Sequence, residues 1–84
     1  SYNSYYNFVV TEKEIIVSNS LRPFFNKSFL LKNIIQVEIK GVAYRGRTVV
    51  IRTENKNYFY AANHILREDL QIIMDEFNKY RERK

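Results

Sequence analysis

The sequence predicts a mainly β domain: an antiparallel, partly open barrel or roll of about six to seven strands, capped by one C-terminal amphipathic α-helix. Three observations predict it. From Tyr5 to Ala61, short stretches of period-two apolar–polar alternation follow one another, separated by turn residues; antiparallel strands with one wet face read this way. Only the last quarter changes period: Leu66, Leu70, Ile73, Phe77 and Tyr80 recur at alternating spacings of four and three, which lines them along one helix face. Finally, 84 residues with 45% hydrophobic and 15% aromatic content suffice for one core, residues 1–84, and leave no room for a second.

The first strand spans roughly Tyr5 to Thr11, where Tyr6, Phe8 and Val10 alternate with Tyr5, Asn7 and Val9. Thr11-Glu12-Lys13-Glu14 is a charged turn, and Ile15-Ile16-Val17 is the returning arm of a hairpin. Ser18-Asn19-Ser20 is loop chemistry, because small polar side chains compete for backbone hydrogen bonds. Pro23 excludes the middle of a central strand. Phe24 to Leu31 is again strand-like, with Phe25, Phe29 and Leu31 on one face and Asn26 and Ser28 on the other.

Lys32-Asn33 is a tight corner into Ile34 to Lys40, where Ile35, Val37 and Ile39 are expected to face inward and Gln36, Glu38 and Lys40 outward. Gly41 and Gly46, the only glycines, bracket Val42-Ala43-Tyr44-Arg45 and are expected to supply turn or bulge geometry. Arg47 to Thr53 follows with Val49 and Ile51 inward, then a reversal at Glu54 to Asn57 that asparagine's tolerance of positive φ would ease. Tyr58 to Ala61 completes the strands.

The helix comes last. Asn63 is placed to cap its start. Glu68 and Asp69 near the N-terminal end and Lys79, Arg81 and Arg83 near the C-terminal end both complement the helix dipole. Met74 and Ile72 widen the apolar stripe.

This order of elements, a strand meander closed by one helix, is similar to the pleckstrin-homology-like fold. "YYNFVVTEKEIIVSN" resembles the opening hairpin of small bacterial domains of that kind, in which a "Y-x-(L/V)-T-x-x-x-I" pattern starts the chain. "FLLKNIIQVEIK" resembles their corner between the third and fourth strands, with Leu30 where proline is commoner, and "RGRTVVIRTENKNYFY" resembles their next hairpin. The resemblance implies two near-orthogonal sheets with the helix plugging one end. It also implies a non-enzymatic domain of a larger bacterial protein, on the cytoplasmic side and tethered to the membrane by segments outside this chain. The chain departs from the lipid-binding members of the fold, since its first turn offers only Lys13 between two glutamates. A seventh strand is found only if Val42 to Arg45 supplies one.

Composition narrows the function classes. One histidine, no cysteine and no glycine-rich phosphate loop argue against catalysis, and His64 is better placed to cap or pack. Glu68 and Asp69 diverge by about 100° on a helix, as do Asp75 and Glu76, so neither pair is an acid and base facing one substrate. No cofactor, metal site or small-molecule substrate is expected. The chain opens on Ser1 and is expected to be a piece of a longer protein. No apolar run approaches the ~20 residues that span a bilayer.

A net charge of +5 favours anionic partners. Arg45 and Arg47 flank Gly46, and with Lys40 and Arg52 they form a candidate site for an oxyanion or an acidic partner. Nucleic acid is disfavoured: Tyr58-Phe59-Tyr60 offers aromatics, but glycine beside aromatics, as in RNA-recognition strands, is missing. Tyr2, Tyr5 and Tyr6 suggest a headgroup region if an anionic membrane is near. Phe24, Phe25, Val42 and Tyr44 are apolar groups where loop is expected, a candidate interaction patch. The expected function is an interaction or scaffold module that self-associates or binds protein through sheet edges and loops. The alternative is an anionic ligand, lipid headgroup or nucleic acid, held by the basic loop.

Overall fold

Each stretch of alternation forms a strand, and the strands sort into two sheets. The computed structural model describes residues 5–42 and 46–82. One sheet holds β1 (Tyr6–Val10), β2 (Glu14–Asn19) and β3 (Arg22–Leu30), in that order. The second holds β4 (Ile34–Val42), β5 (Gly46–Thr53) and β6 (Asn57–Ala61), and helix α1 (Arg67–Arg81) ends the chain. All pairings are antiparallel hairpins.

Among the described residues no ladder joins the sheets, so there is no closed barrel, and there are six strands. The expected single barrel of six to seven strands is corrected accordingly. Its cause is the corner after β3: a 3-10 turn, Leu31–Asn33, buries Leu31 and redirects the chain so that β4 starts a new sheet instead of pairing with β3. The extra strand considered at Val42 to Arg45 is not formed by Val42, whose backbone ends β4; Ala43, Tyr44 and Arg45 lie outside the described residues.

Local chemistry sets each hairpin. In the first turn, Thr11 Oγ1 accepts from the backbone N–H groups of Lys13 and Glu14, at 3.2 and 3.1 Å. Asn19, expected in a loop, instead closes β2: it is buried, and its Oδ1 accepts from the Leu21 N–H at 2.9 Å. Pro23 lies in β3, which pairs only with β2; an edge strand tolerates the missing donor. At the β5–β6 reversal Thr53 replaces the expected positive-φ asparagine. Its Oγ1 donates to the Lys56 carbonyl at 2.7 Å, and no described non-glycine residue has positive φ.

The inward face of β4 also departs from the alternation. Its register to β5 shifts between Ile34 and Gln36, so Ile35 is an extra residue that changes the phase of the strand. Ile34 and Val37 are buried, while Ile35 is 51% exposed.

The core lies between the sheets. Ile15 and Val17 from β2, Val49 and Ile51 from β5, and Leu70 and Phe77 from α1 are among its most buried members. α1 packs on β1, β4 and the Leu31–Asn33 turn. It therefore bridges the two sheets, touching β1 of the first and β4 of the second. Ile73, Met74 and Tyr80 support that contact, whereas Ile72 and Leu66, expected in the stripe, are exposed.

The helix begins at Arg67 and has no side-chain cap. Asn63 is occupied elsewhere: its Oδ1 accepts from the Arg47 backbone N–H at 2.7 Å.

Aromatic rings pack β6 against the first sheet, on β3 and on β1. Phe29 meets Tyr58 edge-on at 4.9 Å, and Tyr60 meets Tyr6 at 4.9 Å and Phe25 at 6.4 Å. Edge-to-face pairs of this kind add about 0.5–1.5 kcal/mol each beyond area burial. Burial of the Tyr60 phenol, with smaller contributions from Tyr6 and Tyr58, pushes its pKa up to about 12.

Candidate functional site

The helix and the aromatic contacts leave part of the space between the sheets open. There a groove of about 490 Å³ runs between β3, the Leu31–Asn33 turn with the start of β4, and the β5–β6 turn with Tyr58. Its apolar side comes from Phe29, which is buried, together with Tyr58, Leu30, Ile34 and Ile35. The β4 bulge explains Ile35: the same register shift that removes it from the core delivers it to the groove.

The polar side is rich in ammonium groups. Lys27 and Lys32 line the groove with Ser28, Asn33, Thr53, Asn55 and a single carboxylate, Glu54. Lys27 shares the inward face of β3 with Phe29, and its Nζ lies 5.5 Å from the Phe29 ring centroid and 5.1 Å from that of Tyr58. Lys56 Nζ approaches the same tyrosine ring, also at 5.1 Å. Such contacts are worth about 0.5–1 kcal/mol at exposed positions, enough to bias where the ammonium groups sit. None of the three lysines is ion-paired to a carboxylate within the described residues.

Two strand edges border this groove. β3 pairs only with β2, and β6 only with β5. Each therefore keeps one row of backbone N–H and C=O groups without a ladder partner among the described residues, a ready template for another strand.

Among the described residues, those singled out from sequence are dispersed. Arg47 is built into the fold: its Nη2 donates to the Ile65 carbonyl at 2.6 Å and to the Asn63 carbonyl at 3.3 Å, with Nε on Ile65 at 3.2 Å. Arg52 lies on the outer face of the second sheet, where its Nε and Nη2 bind Glu38 Oε1 at 3.0 and 2.8 Å. Lys40 is exposed and shares that outer face by strand alternation. Arg45 lies outside the described residues. Arg47 and Arg52, an odd and an even position of one strand, point to opposite faces and do not converge.

The apolar patch divides as well. Phe24 is 98% exposed, while Phe25 turns inward against Tyr6 and Tyr60. Tyr44 and the side chain of Val42 lie outside the described residues. His64 stacks on Tyr5 with ring centroids 5.9 Å apart, and its Nε2 is 3.5 Å from Asn7 Oδ1. No group of three or more His, Cys, Asp or Glu side chains suited to a metal occurs among the described residues. No described helix is long and apolar enough to cross a membrane.

Sequence reading missed the groove because its walls lie far apart in the chain. One local sign was present: Lys27 is a cation on the face of β3 that otherwise carries Phe25 and Phe29. A charged residue on an apolar strand face marks a place where that face reaches solvent. No protein-family model matches this chain, and no curated protein matches it.

Proposed function

We propose that the domain is a non-enzymatic interaction module of pleckstrin-homology-like type, receiving an extended protein segment along its unpaired strand edges. The observation that carries this reading is the groove, which is bordered by the free edges of β3 and β6 and lined by apolar and cationic groups. A segment added to β3 would gain backbone hydrogen bonds along the edge and insert every second side chain toward Phe29 and Tyr58. A second copy of the chain is one possible source of that segment, and a different protein is another. The basic-loop alternative has less support, since Arg47 and Arg52 are engaged with internal acceptors.

Backbone amide NMR tests the reading. The domain is titrated with extended octapeptides that are neutral, acidic or basic, and separately concentrated into the millimolar range. Shifts and slowed amide exchange confined to β3 and β6 are expected in at least one series. If no peptide and no rise in protein concentration perturbs either strand, edge recognition is wrong.

A further inference from the structure

We infer that the segment received by the β3–β6 groove is acidic: an extended peptide whose same-face carboxylates sit between Lys27 and Lys56 over the Tyr58 ring. This rests on the edge-recognition reading and names its partner chemistry. Lys27 and Lys56 each hold an ammonium 5.1 Å from one ring centroid, so the two charges stand no further apart than twice that distance. Same-face side chains of a strand recur every ~7 Å, a spacing that lets neighbouring carboxylates engage both. Lys32 lines the groove with Lys27, against Glu54 as the only carboxylate there, and Lys56 reaches its rim over the Tyr58 ring.

Charge also selects among occupants. A second copy carries the same +5 charge and would bring its own lysines against these, which like-charge repulsion opposes. Nucleic acid matches the charge but not the surface. Phe29 is buried, and the Lys27 and Lys56 ammonium groups each stand 5.1 Å from the Tyr58 ring centroid, so a base stacking there would compete with their contacts to the ring. A row of unpaired backbone groups suits a peptide backbone instead.

The experiment measures binding of three probes to the domain by calorimetry and amide exchange. They are an octapeptide of alternating threonine and glutamate, its threonine–glutamine counterpart, and an eight-nucleotide oligothymidylate. The acidic peptide should bind most tightly, weaken as salt rises, and protect β3 amides. The Lys27→Gln, Lys56→Gln double variant should lose about tenfold in affinity, as two partly exposed ion pairs would. Glu54→Gln, which removes the opposing charge, should bind more tightly and guards against a folding defect in the lysine variant.

Equal binding of the glutamine peptide would overturn the acidic assignment while leaving edge recognition standing. Absence of binding by either peptide, with no protection of β3 on concentrating the protein, would overturn both. Dimerisation that protects β3 would assign the groove to a second copy and reject the acidic partner. Lysine-dependent binding of the oligonucleotide alone would reject a peptide occupant.

Discussion

The guanidinium of Arg47 grips the carbonyl of Ile65, with Nη2 at 2.6 Å and Nε at 3.2 Å. The start of β5 is thereby tied to the turn that launches α1. The backbone of the same residue donates to Asn63 Oδ1, so one arginine is bonded at two points to the connection between β6 and α1. Arg47→Ala should destabilise the domain by about 2 kcal/mol, the range for a hydrogen-bonded charged group. Urea unfolding checks this, and a change below experimental error would mean that the turn holds itself.

Gly46 belongs to the same arrangement. Its φ is +78°, and a Cβ there would collide with the Asn63 side chain. Gly46→Ala should therefore cost about 1–3 kcal/mol. In the Asn63→Ala background the added cost should shrink to the φ component alone. A double-mutant cycle by thermal unfolding reads the difference; strict additivity would place the strain elsewhere.

Ile34 and Ile35 are chemically identical neighbours with opposite fates. Ile34→Ala should cost about 2–5 kcal/mol as a core truncation, and Ile35→Ala less than about 1 kcal/mol. Equal effects in urea would show that the bulge is absent in solution.

On α1, Phe77 is buried and Ile72 is 54% exposed. Phe77→Asp should leave the domain unfolded by circular dichroism, because it replaces core volume with an unpaired charge. Ile72→Asp should change stability by less than about 1 kcal/mol. A folded Phe77→Asp variant would make the helix a docking element instead of a structural one.

Tyr60 gives the fold an alkaline limit. Its folded pKa is raised to about 12 from an ordinary 10.0, chiefly by burial. The neutral phenol is thus favoured in the folded state, and its contribution is fully present below pH 10. It fades as pH rises from 10 toward 12, by on the order of 2 kcal/mol. Unfolding free energies across that window should fall, and Tyr60→Phe should flatten the fall. An unchanged slope in that variant would assign alkaline sensitivity to other groups.

Strand-by-strand alternation and the four-three spacing of Leu70, Ile73, Phe77 and Tyr80 made the elements and the core side of α1 legible. So did the inward pair Val49 with Ile51. These patterns are local: side chains two residues apart share a strand face, and those three or four apart share a helix face, whatever lies beyond them. Arg47 and Arg52, expected in one basic cluster, do not converge for the same reason. Proximity in sequence put Arg47 and Arg52 together on paper, but the pleat sends them to opposite faces, where backbone carbonyls and Glu38 claim them.

By itself, then, the sequence determined that a run of antiparallel strands is followed by one helix, and which face of most of them is apolar. Tertiary structure alone decided that the strands divide into two sheets, that Ile35 leaves the core, and that Lys27, Lys56 and Tyr58 meet beside an open groove. Those outcomes depend on contacts between segments up to some thirty residues apart. Backbone register and the 3-10 corner at Leu31–Asn33 set such contacts, and neither leaves a periodic trace in the chain.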